Sequence, residues 1–325
     1  MNKSMRIVKW GIIGLGKIAD KFAQDLNTVE NAKLVAVASR SQQKANDFAE
    51  KYQVENAYNS YEDLAKDFNI DAVYIATPHS FHKDHSILCL QNKKAVLCEK
   101  PFAMDLQEVS IMIAAAKANN VLLMEALWTC FLPHYKYVLD IVESKKYGDL
   151  IELQADFGFK AEYNLQSRLM KKEVGGGSLL DIGIYPIFTA LSALGIPNSI
   201  AAKATFFETG ADSSCSMTFE YDNAKAFLKS TLLEETKTVA IFTFEEGEIK
   251  INGRFHEPST VTIIKNQTEK TINFNYKTIG YSYEIEHFNQ LLRDDKTESN
   301  IMTFELSKNL IKTLDKVRKQ IGLEY

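Results

Sequence analysis

The sequence predicts an α/β chain of two domains: an N-terminal doubly wound parallel sheet, and a C-terminal α+β domain built on a large, mostly antiparallel open sheet. Three observations predict it. Short apolar runs alternate strictly with helix-like segments up to Met124, which is the pattern of parallel β-α-β units. From Ile151 onward the runs instead alternate apolar and polar residues one by one, as strands with one wet face do. The length of 325 residues exceeds one ordinary core. The pattern changes near Trp128, so the expected domains are 1–127 and 128–325, with the C-terminal helices able to pack back on the first.

Ile7 to Ile13 reads as the first strand, and Gly11-Ile12-Ile13-Gly14-Leu15-Gly16-Lys17-Ile18-Ala19 carries it into a helix ending near Asn27. Glycines in that setting cradle a dinucleotide pyrophosphate. Gly14 allows the tight turn, Gly16 lets the backbone approach the phosphates, and Ala19 lets the helix pack on the strand. The helix start at Leu15, Lys17 and Ile18 points unpaired N–H groups and a positive dipole end at the anion. The second strand, Leu34 to Ala38, is continuously apolar, as a strand buried on both faces should be. An NAD site expects a carboxylate at its end for the ribose hydroxyls. This strand ends in Ser39-Arg40-Ser41, with Lys44 one turn on. Nothing there repels a 2′-phosphate, and Arg40 can pair with one or stack on adenine. The expectation is NADP(H) in preference to NAD(H); the competing reading is a solvated arginine with loose cofactor preference.

Further along come helices over Ser41–Tyr52 and Tyr61–Asp67, a strand at Ala72–Ile75 and a helix over Phe81–Asn92. A strand at Ala95–Cys98, a helix over Leu106–Asn119 and a strand at Val121–Met124 complete the first domain. A helix over Pro133–Lys145 leads to the alternating strand Ile151–Phe157. Runs at Ala201–Phe207, Ser214–Phe219, Lys225–Leu232, Val239–Phe244 and Val261–Ile264 build the second sheet. One apolar helix, Leu179–Leu194, is expected to cover one face, and helices over Tyr283–Leu292 and Thr303–Ile321 close the chain.

Ligands of an open parallel sheet bind beyond the carboxyl ends of the strands. Three segments qualify: Ala76-Thr77-Pro78-His79-Ser80-Phe81-His82 after Ile75, Glu99-Lys100-Pro101 after Cys98, and Glu125-Ala126-Leu127-Trp128 after Met124. Lys100, between a buried strand and a proline, has its charge aimed at the crevice. His79, His82 and His85 stand three apart, but no second cluster supplies the remaining ligands at metal spacing; no metal is expected. Instead His79 or His82 lines the nicotinamide side, and His85 is structural or at the surface.

In the second domain the sharpest motif is Gly175-Gly176-Gly177-Ser178-Leu179-Leu180-Asp181-Ile182-Gly183-Ile184-Tyr185-Pro186. Ser178 reads as a helix cap, with Asp181 and Tyr185 four apart on one helix face. The alternative is a capping aspartate and a core tyrosine.

The net charge of −4 with interspersed signs excludes a nucleic-acid footprint. The four cysteines, Cys89, Cys98, Cys130 and Cys215, show no paired metal spacing and read as buried thiols in a reducing cytoplasm. No apolar run approaches the ~18 residues of a membrane span, and the N-terminus reads as no export signal.

The Gly14-Leu15-Gly16 fingerprint, the Glu99-Lys100-Pro101 triplet and the glycine run leading to Asp181 and Tyr185 resemble the glucose-fructose oxidoreductase / inositol dehydrogenase / MocA (Gfo/Idh/MocA) family. The resemblance covers nearly the whole chain. The segments at 76–79, 97–101, 124–129 and 180–186 are most similar to the branch of trans-dihydrodiol dehydrogenases and NADP-linked D-xylose dehydrogenases. Tyr185 marks that branch, since many members carry histidine there. Cys130 departs from it, because arginine often follows the Trp128-Thr129 pair.

The resemblance implies a Rossmann domain and hydride transfer between a carbinol carbon of a sugar, polyol or dihydrodiol and nicotinamide C4. Tyr185 is then the acid/base. A free phenol titrates near ~10, too high for an efficient neutral base, and Lys100 would correct this by favouring phenolate. Asp181 would accept a bond from a second substrate hydroxyl. Trp128, Phe157 and Phe159 would wall one face of a ring, with Arg168 a further polar candidate. Two other readings remain: a catalytically silent NADP-binding sensor, and an NAD-dependent glycosidase. An apolar open face rich in Phe, Ile and Val is expected to be covered in a homodimer.

Overall fold

A computed structural model describes residues 6–325. In chain order the first elements are β1 (Val8–Ile13), α1 (Lys17–Leu26), β2 (Ala32–Ala38), α2 (Gln42–Tyr52), β3 (Asn56–Tyr58), α3 (Tyr61–Lys66), β4 (Ala72–Ile75), α4 (His82–Gln91), β5 (Ala95–Glu99), α5 (Leu106–Asn119) and β6 (Leu123–Ala126). Then follow α6 (Pro133–Glu143), β7 (Leu150–Gly158), α7 (Ile184–Leu194), β8 (Ser199–Phe206), β9 (Asp212–Glu220), β10 (Lys225–Thr231) and β11 (Ala240–Phe244). The chain ends with β12 (Gly247–Ile251), β13 (Val261–Lys265), β14 (Thr268–Ile272), α8 (Tyr281–Arg293) and α9 (Phe304–Ile321).

The chain divides into two compact units: one holds the residues up to Trp128 together with Lys277–Lys308, the other Thr129–Tyr276 and Asn309–Tyr325. The division falls inside α9.

In the first unit, six parallel strands run in the order β3-β2-β1-β4-β5-β6. The order reverses at β1/β4, and it is beyond the carboxyl ends at such a reversal that open parallel sheets bind their ligands. Local chemistry starts the helices: Ser41, Ser60 and Asp105 accept the N–H of Lys44, Asp63 and Glu108 and so cap α2, α3 and α5. The buried Asp25 performs a long-range version of this. Its carboxylate accepts the N–H of Gly280 at 2.9 Å and of Ser282 at 3.1 Å, fastening the start of α8 to the end of α1.

Two boundaries differ from the sequence expectation. The last strand of this sheet is shifted to Leu123–Ala126, which places Glu125 inside it at 2 % exposure, and Glu99 ends β5 rather than following it. A buried carboxylate inside a strand looks, in sequence, like the end of that strand.

In the second unit, eight strands run β14-β13-β12-β11-β7-β10-β9-β8, antiparallel except for the β7/β10 pair. Leu153, Ala155 and Phe157 of β7 turn to the buried face, together with Ala226 and Leu228 of β10, and α7 packs there. The segment Lys172–Leu194 is apolar and long enough to cross a membrane, but 83 % of its most apolar stretch is buried inside the unit, as a core helix requires.

The opposite face corrects the expectation of an apolar sheet. Glu152, Gln154 and Asp156 stand beside Lys225, Phe227 and Lys229 in register, so carboxylates face lysines, with Phe227 (42 % exposed) and Ile241 as the apolar exceptions. The apolar members of these strands alternate inward.

Candidate functional site

The first-unit residues gather at the strand ends. Gly14 has φ +88°, and a Cβ on it would stand 2.8 Å from the Ala76 carbonyl carbon and from Thr77 Cγ2. Only glycine passes this close to the end of β4. A Cβ on Gly16 would meet nothing within 4 Å, so the open cradle lies on the outer side of that turn. Gly16 precedes α1 without a side-chain cap, Leu15 is nearly buried, Lys17 and Ile18 are exposed and Ala19 is fully buried. These residues fit a dinucleotide pyrophosphate: tight backbone, open approach and a helix N-terminus.

At the end of β2, Ser39 is buried and its hydroxyl accepts the Ser41 N–H at 3.3 Å. Arg40 is exposed, as is Lys44, at the positive end of α2. The Tyr61 phenol lies against Arg40, whose charge works against the burial that raises its pKa. The neighbourhood is cationic and carries no carboxylate on the Ser39–Lys44 turn.

The structure corrects the expectation for His82, which is buried away from any ligand surface. His82 is fully buried, with Nδ1 2.9 Å from the Pro101 carbonyl and Nε2 2.8 Å from the Thr77 carbonyl. It ties two loops together and cannot line a ligand surface; burial lowers its pKa to about 4. A neutral ring has one N–H, so it serves one of the two carbonyls at a time. His79 is nearly buried too, its ring 5.6 Å from that of His82. The half-buried His85 instead joins the candidate surface: Nδ1 is 3.0 Å from Thr77 Oγ1, and its ring meets Tyr61 and Phe81. Pro78 is half-buried beside it.

Glu99 is nearly buried; the Tyr74 hydroxyl donates to Oε1 and the Lys100 N–H donates to Oε2 at 3.2 Å. Lys100 is half-buried and precedes Pro101 through a cis peptide. Trp128 stacks on Tyr281 at 4.3 Å between ring centroids.

In the second unit the glycine-rich motif corrects two further expectations. Ser178 is not a cap: it is itself helical, and its hydroxyl donates to Asp212 Oδ2 at 2.7 Å. The helix is not uniform either. Leu179–Gly183 winds as a π-helix before α7 begins, a local widening often found at functional positions. Asp181 sits in this π turn and accepts a bond from Arg168 Nη2 at 2.8 Å. Tyr185 follows in the first turn of α7 with 7 % exposure. Phe157 from β7 lies 5.8 Å from its ring, and Phe159 lies 6.4 Å from Phe157. Cys130 is buried with 5 % exposure, as are the other three cysteines.

His256 was not legible in the sequence. It stacks on Phe157 at 4.1 Å and tilts against Tyr185 at 4.8 Å. It stands alone between Phe255 and Glu257 with no spacing signal, and a long-range bond from Thr129 Oγ1 to its carbonyl (2.8 Å) helps set its place. No group of His, Cys, Asp and Glu able to hold a metal ion occurs among the described residues.

Known proteins match nearly the whole chain. Residues 8–127 match the family described as "Oxidoreductase family, NAD-binding Rossmann fold", and residues 135–253 match the "GFO/IDH/MocA C-terminal domain". The chain is 37 % identical to a trans-1,2-dihydrobenzene-1,2-diol dehydrogenase of Xenopus tropicalis, covering 98 % of this chain and 99 % of the relative. It is 33 % identical to the scyllo-inositol 2-dehydrogenase (NADP(+)) IolU of Bacillus subtilis, covering 98 % of both. The aldose-aldose oxidoreductase of Caulobacter crescentus, at 19 % identity over 98 % of each chain, has the same fold with a TM-score of 0.89.

Proposed function

The chain belongs to the GFO/IDH/MocA oxidoreductase family, as an NAD(P)-dependent dehydrogenase or reductase, and on that premise we propose that it is an NADP-preferring dehydrogenase of a sugar, polyol or dihydrodiol. The observation that carries the substrate class is the second-unit cluster: a buried phenol, Tyr185, ringed by Phe157 and His256, with the Asp181 carboxylate held ready by Arg168. An apolar wall beside one phenol and one carboxylate suits a ring bearing vicinal hydroxyls. The relatives named for a dihydrodiol and for an inositol act on such rings.

Nicotinamide C4, when bound, accepts or gives the hydride. The chain's own residues do the rest. Tyr185 takes the hydroxyl proton during oxidation and returns it during reduction. Lys100 is assigned the cation that favours its phenolate. Asp181 accepts from a neighbouring hydroxyl, while Trp128, Phe157 and Phe159 exclude water from one ring face. Gly14, Leu15, Gly16, Lys17 and Ile18 hold the pyrophosphate; Thr77, Pro78, His79 and Glu99 shape the nicotinamide end. Arg40, Lys44 and Ser39 receive the 2′-phosphate, supported by the missing carboxylate at the end of β2.

A homodimer through the open face of the eight-stranded sheet is part of the proposal, supported by the exposed Phe227 on that face and not by its paired charges. Four buried free thiols support a cytoplasmic location.

The test is NADP+ reduction with D-xylose, D-glucose, inositol and a trans-dihydrodiol, with NAD+ in parallel. Turnover with NADP+ preferred supports the reading. Tight NADPH binding with silence across the panel overturns it.

A further inference from the structure

One buried histidine has no part in the reaction as described. His256 belongs to the loop between β12 and β13 and is only 4 % exposed, although connecting segments normally run over the surface. Three bonds to the loop backbone hold it there. The Thr129 hydroxyl donates to the His256 carbonyl at 2.8 Å, the Phe255 N–H donates to the Thr238 carbonyl at 3.1 Å, and the Phe255 carbonyl lies 3.0 Å from His134 Nε2. A carbonyl can only accept, so the proton of His134 sits on Nε2. Burial lowers the pKa of His134 to about 4, which keeps the ring neutral, and its Nδ1 accepts from the Tyr276 hydroxyl at 2.6 Å. The loop is thus fastened to three other segments of its own unit.

The imidazole that this anchoring presents meets rings on two other elements. It stacks on Phe157 of β7, with centroids 4.1 Å apart and planes 25° apart, and it tilts against Tyr185 of α7 at 4.8 Å and 44°. Phe157 and Tyr185 also meet, at 5.8 Å, so the three rings close a triangle. On its polar side, His256 Nε2 lies 3.6 Å from Glu257 Oε1, which accepts from Arg254. Any apolar side chain of the right volume would fill this space; a flat ring on a pinned loop also fixes a plane. A phenolic O–H bond lies in the plane of its own ring through conjugation, so whatever holds the Tyr185 plane sets the direction in which that proton leaves and returns. Acid/base transfer depends on such alignment.

We propose that His256 is a positioning residue: its ring closes the triangle with Phe157 and Tyr185, holds the Tyr185 ring in one plane, and so aims the phenolic proton at the substrate hydroxyl. His256 acts through Tyr185 and exchanges no proton itself. Without the imidazole the triangle opens, Phe157 alone bounds the phenol at 5.8 Å, and the Tyr185 ring turns about its long axis. The effect on turnover rests on the dehydrogenase reading; the fixed ring does not.

The experiment compares wild type, His256→Ala and His256→Phe in two measurements, with an NADPH titration to establish that each variant is folded. The first is NMR of protein labelled with 13C at the tyrosine Cε positions, the Tyr185 signals being those missing from Tyr185→Phe. A ring held in one plane shows its two Cε atoms as separate signals, and a turning ring averages them. Wild type and Phe should show two, Ala one. The second is kcat with NADP+ and a turned-over substrate. Ala should lower kcat by ~10-fold with the KM for NADP+ little changed, and Phe, which restores a ring, should recover most of the loss. A single averaged signal in wild type overturns the proposal. So does an Ala variant that keeps either the wild-type kcat or the two signals, or a folded Phe variant that recovers neither. Should the larger phenyl ring prevent folding, wild type and Ala decide between them. A wild type silent on every substrate overturns the dehydrogenase reading, and with it the role in turnover, while the Cε signals still decide whether His256 fixes the ring.

Discussion

Arg168 donates to Asp181 at 2.8 Å across the glycine run that separates them in sequence. The carboxylate is 12 % exposed and the guanidinium 41 %, so the arginine comes from the solvent side to hold an acid facing inward. An ion pair with one exposed partner contributes little stability. Its value is orientation. Arg168→Met should leave the melting temperature within a few degrees of wild type but raise the KM of a polyol ~10-fold with kcat nearly unchanged. Steady-state kinetics check it; a fall in kcat at constant KM would place Arg168 in the chemistry instead.

Tyr185→Phe removes one hydroxyl from a ring that keeps its contacts with Phe157 and His256. Loss of an acid/base group costs at least ~100-fold in turnover. NADPH binding, measured by fluorescence titration, should be nearly unchanged, since the dinucleotide residues lie at Gly14–Ile18 and Ser39–Lys44. Wild-type turnover in the Phe variant would remove Tyr185 from the mechanism.

Arg40→Ala should weaken NADPH by ~10-fold or more while changing NADH by less than ~2-fold. The guanidinium is the exposed cation at the end of β2, and a charge-assisted bond to phosphate is worth about 1.5–3 kcal/mol. Titrations with both cofactors decide it. Equal losses for the two would mean that Arg40 stacks on adenine rather than reading the phosphate.

What the sequence revealed, and what it hid, follows from the range of each interaction. Five of the six strands of the first sheet were legible to within two residues at each end, because buried parallel strands are continuous apolar runs and Ser41, Ser60 and Asp105 cap their helices within three residues. β3, at three residues, is too short to show a pattern, and β14, Thr268–Ile272, is almost wholly exposed. Gly14, Lys100, Asp181 and Tyr185 announced themselves through motif and position. His82 misled because its neighbours in sequence say nothing of the Pro101 carbonyl it meets. His256 was hidden for the same reason: its ring is set against Phe157 and Tyr185, both far away along the chain.

Asp212 carries the last prediction. Its Oδ2 accepts from Ser178 Oγ and from the Leu179 N–H, both at 2.7 Å, so it anchors the start of the π turn that holds Asp181. Its Oδ1 is buried without a partner, and a Cβ on Gly177 would stand 2.1 Å from it. Burial outweighs the two bonds and pushes its pKa up to about 6. Unfolded, it titrates near ~3.9. Between these values the unfolded chain gives up the proton while the folded chain keeps it, so the folded state loses stability as pH rises through that window. Each unit costs about 1.4 kcal/mol, on the order of 2–3 kcal/mol in all. Asp212→Asn keeps an oxygen for Ser178 and Leu179 but cannot ionise. The stability of wild type relative to the Asn variant should therefore fall from about pH 4 to about pH 6 and level off above it. Urea melts of both proteins at matched pH measure this difference directly, with every other titrating group cancelling. Parallel curves would mean that Asp212 is ionised in the fold and that something else satisfies Oδ1.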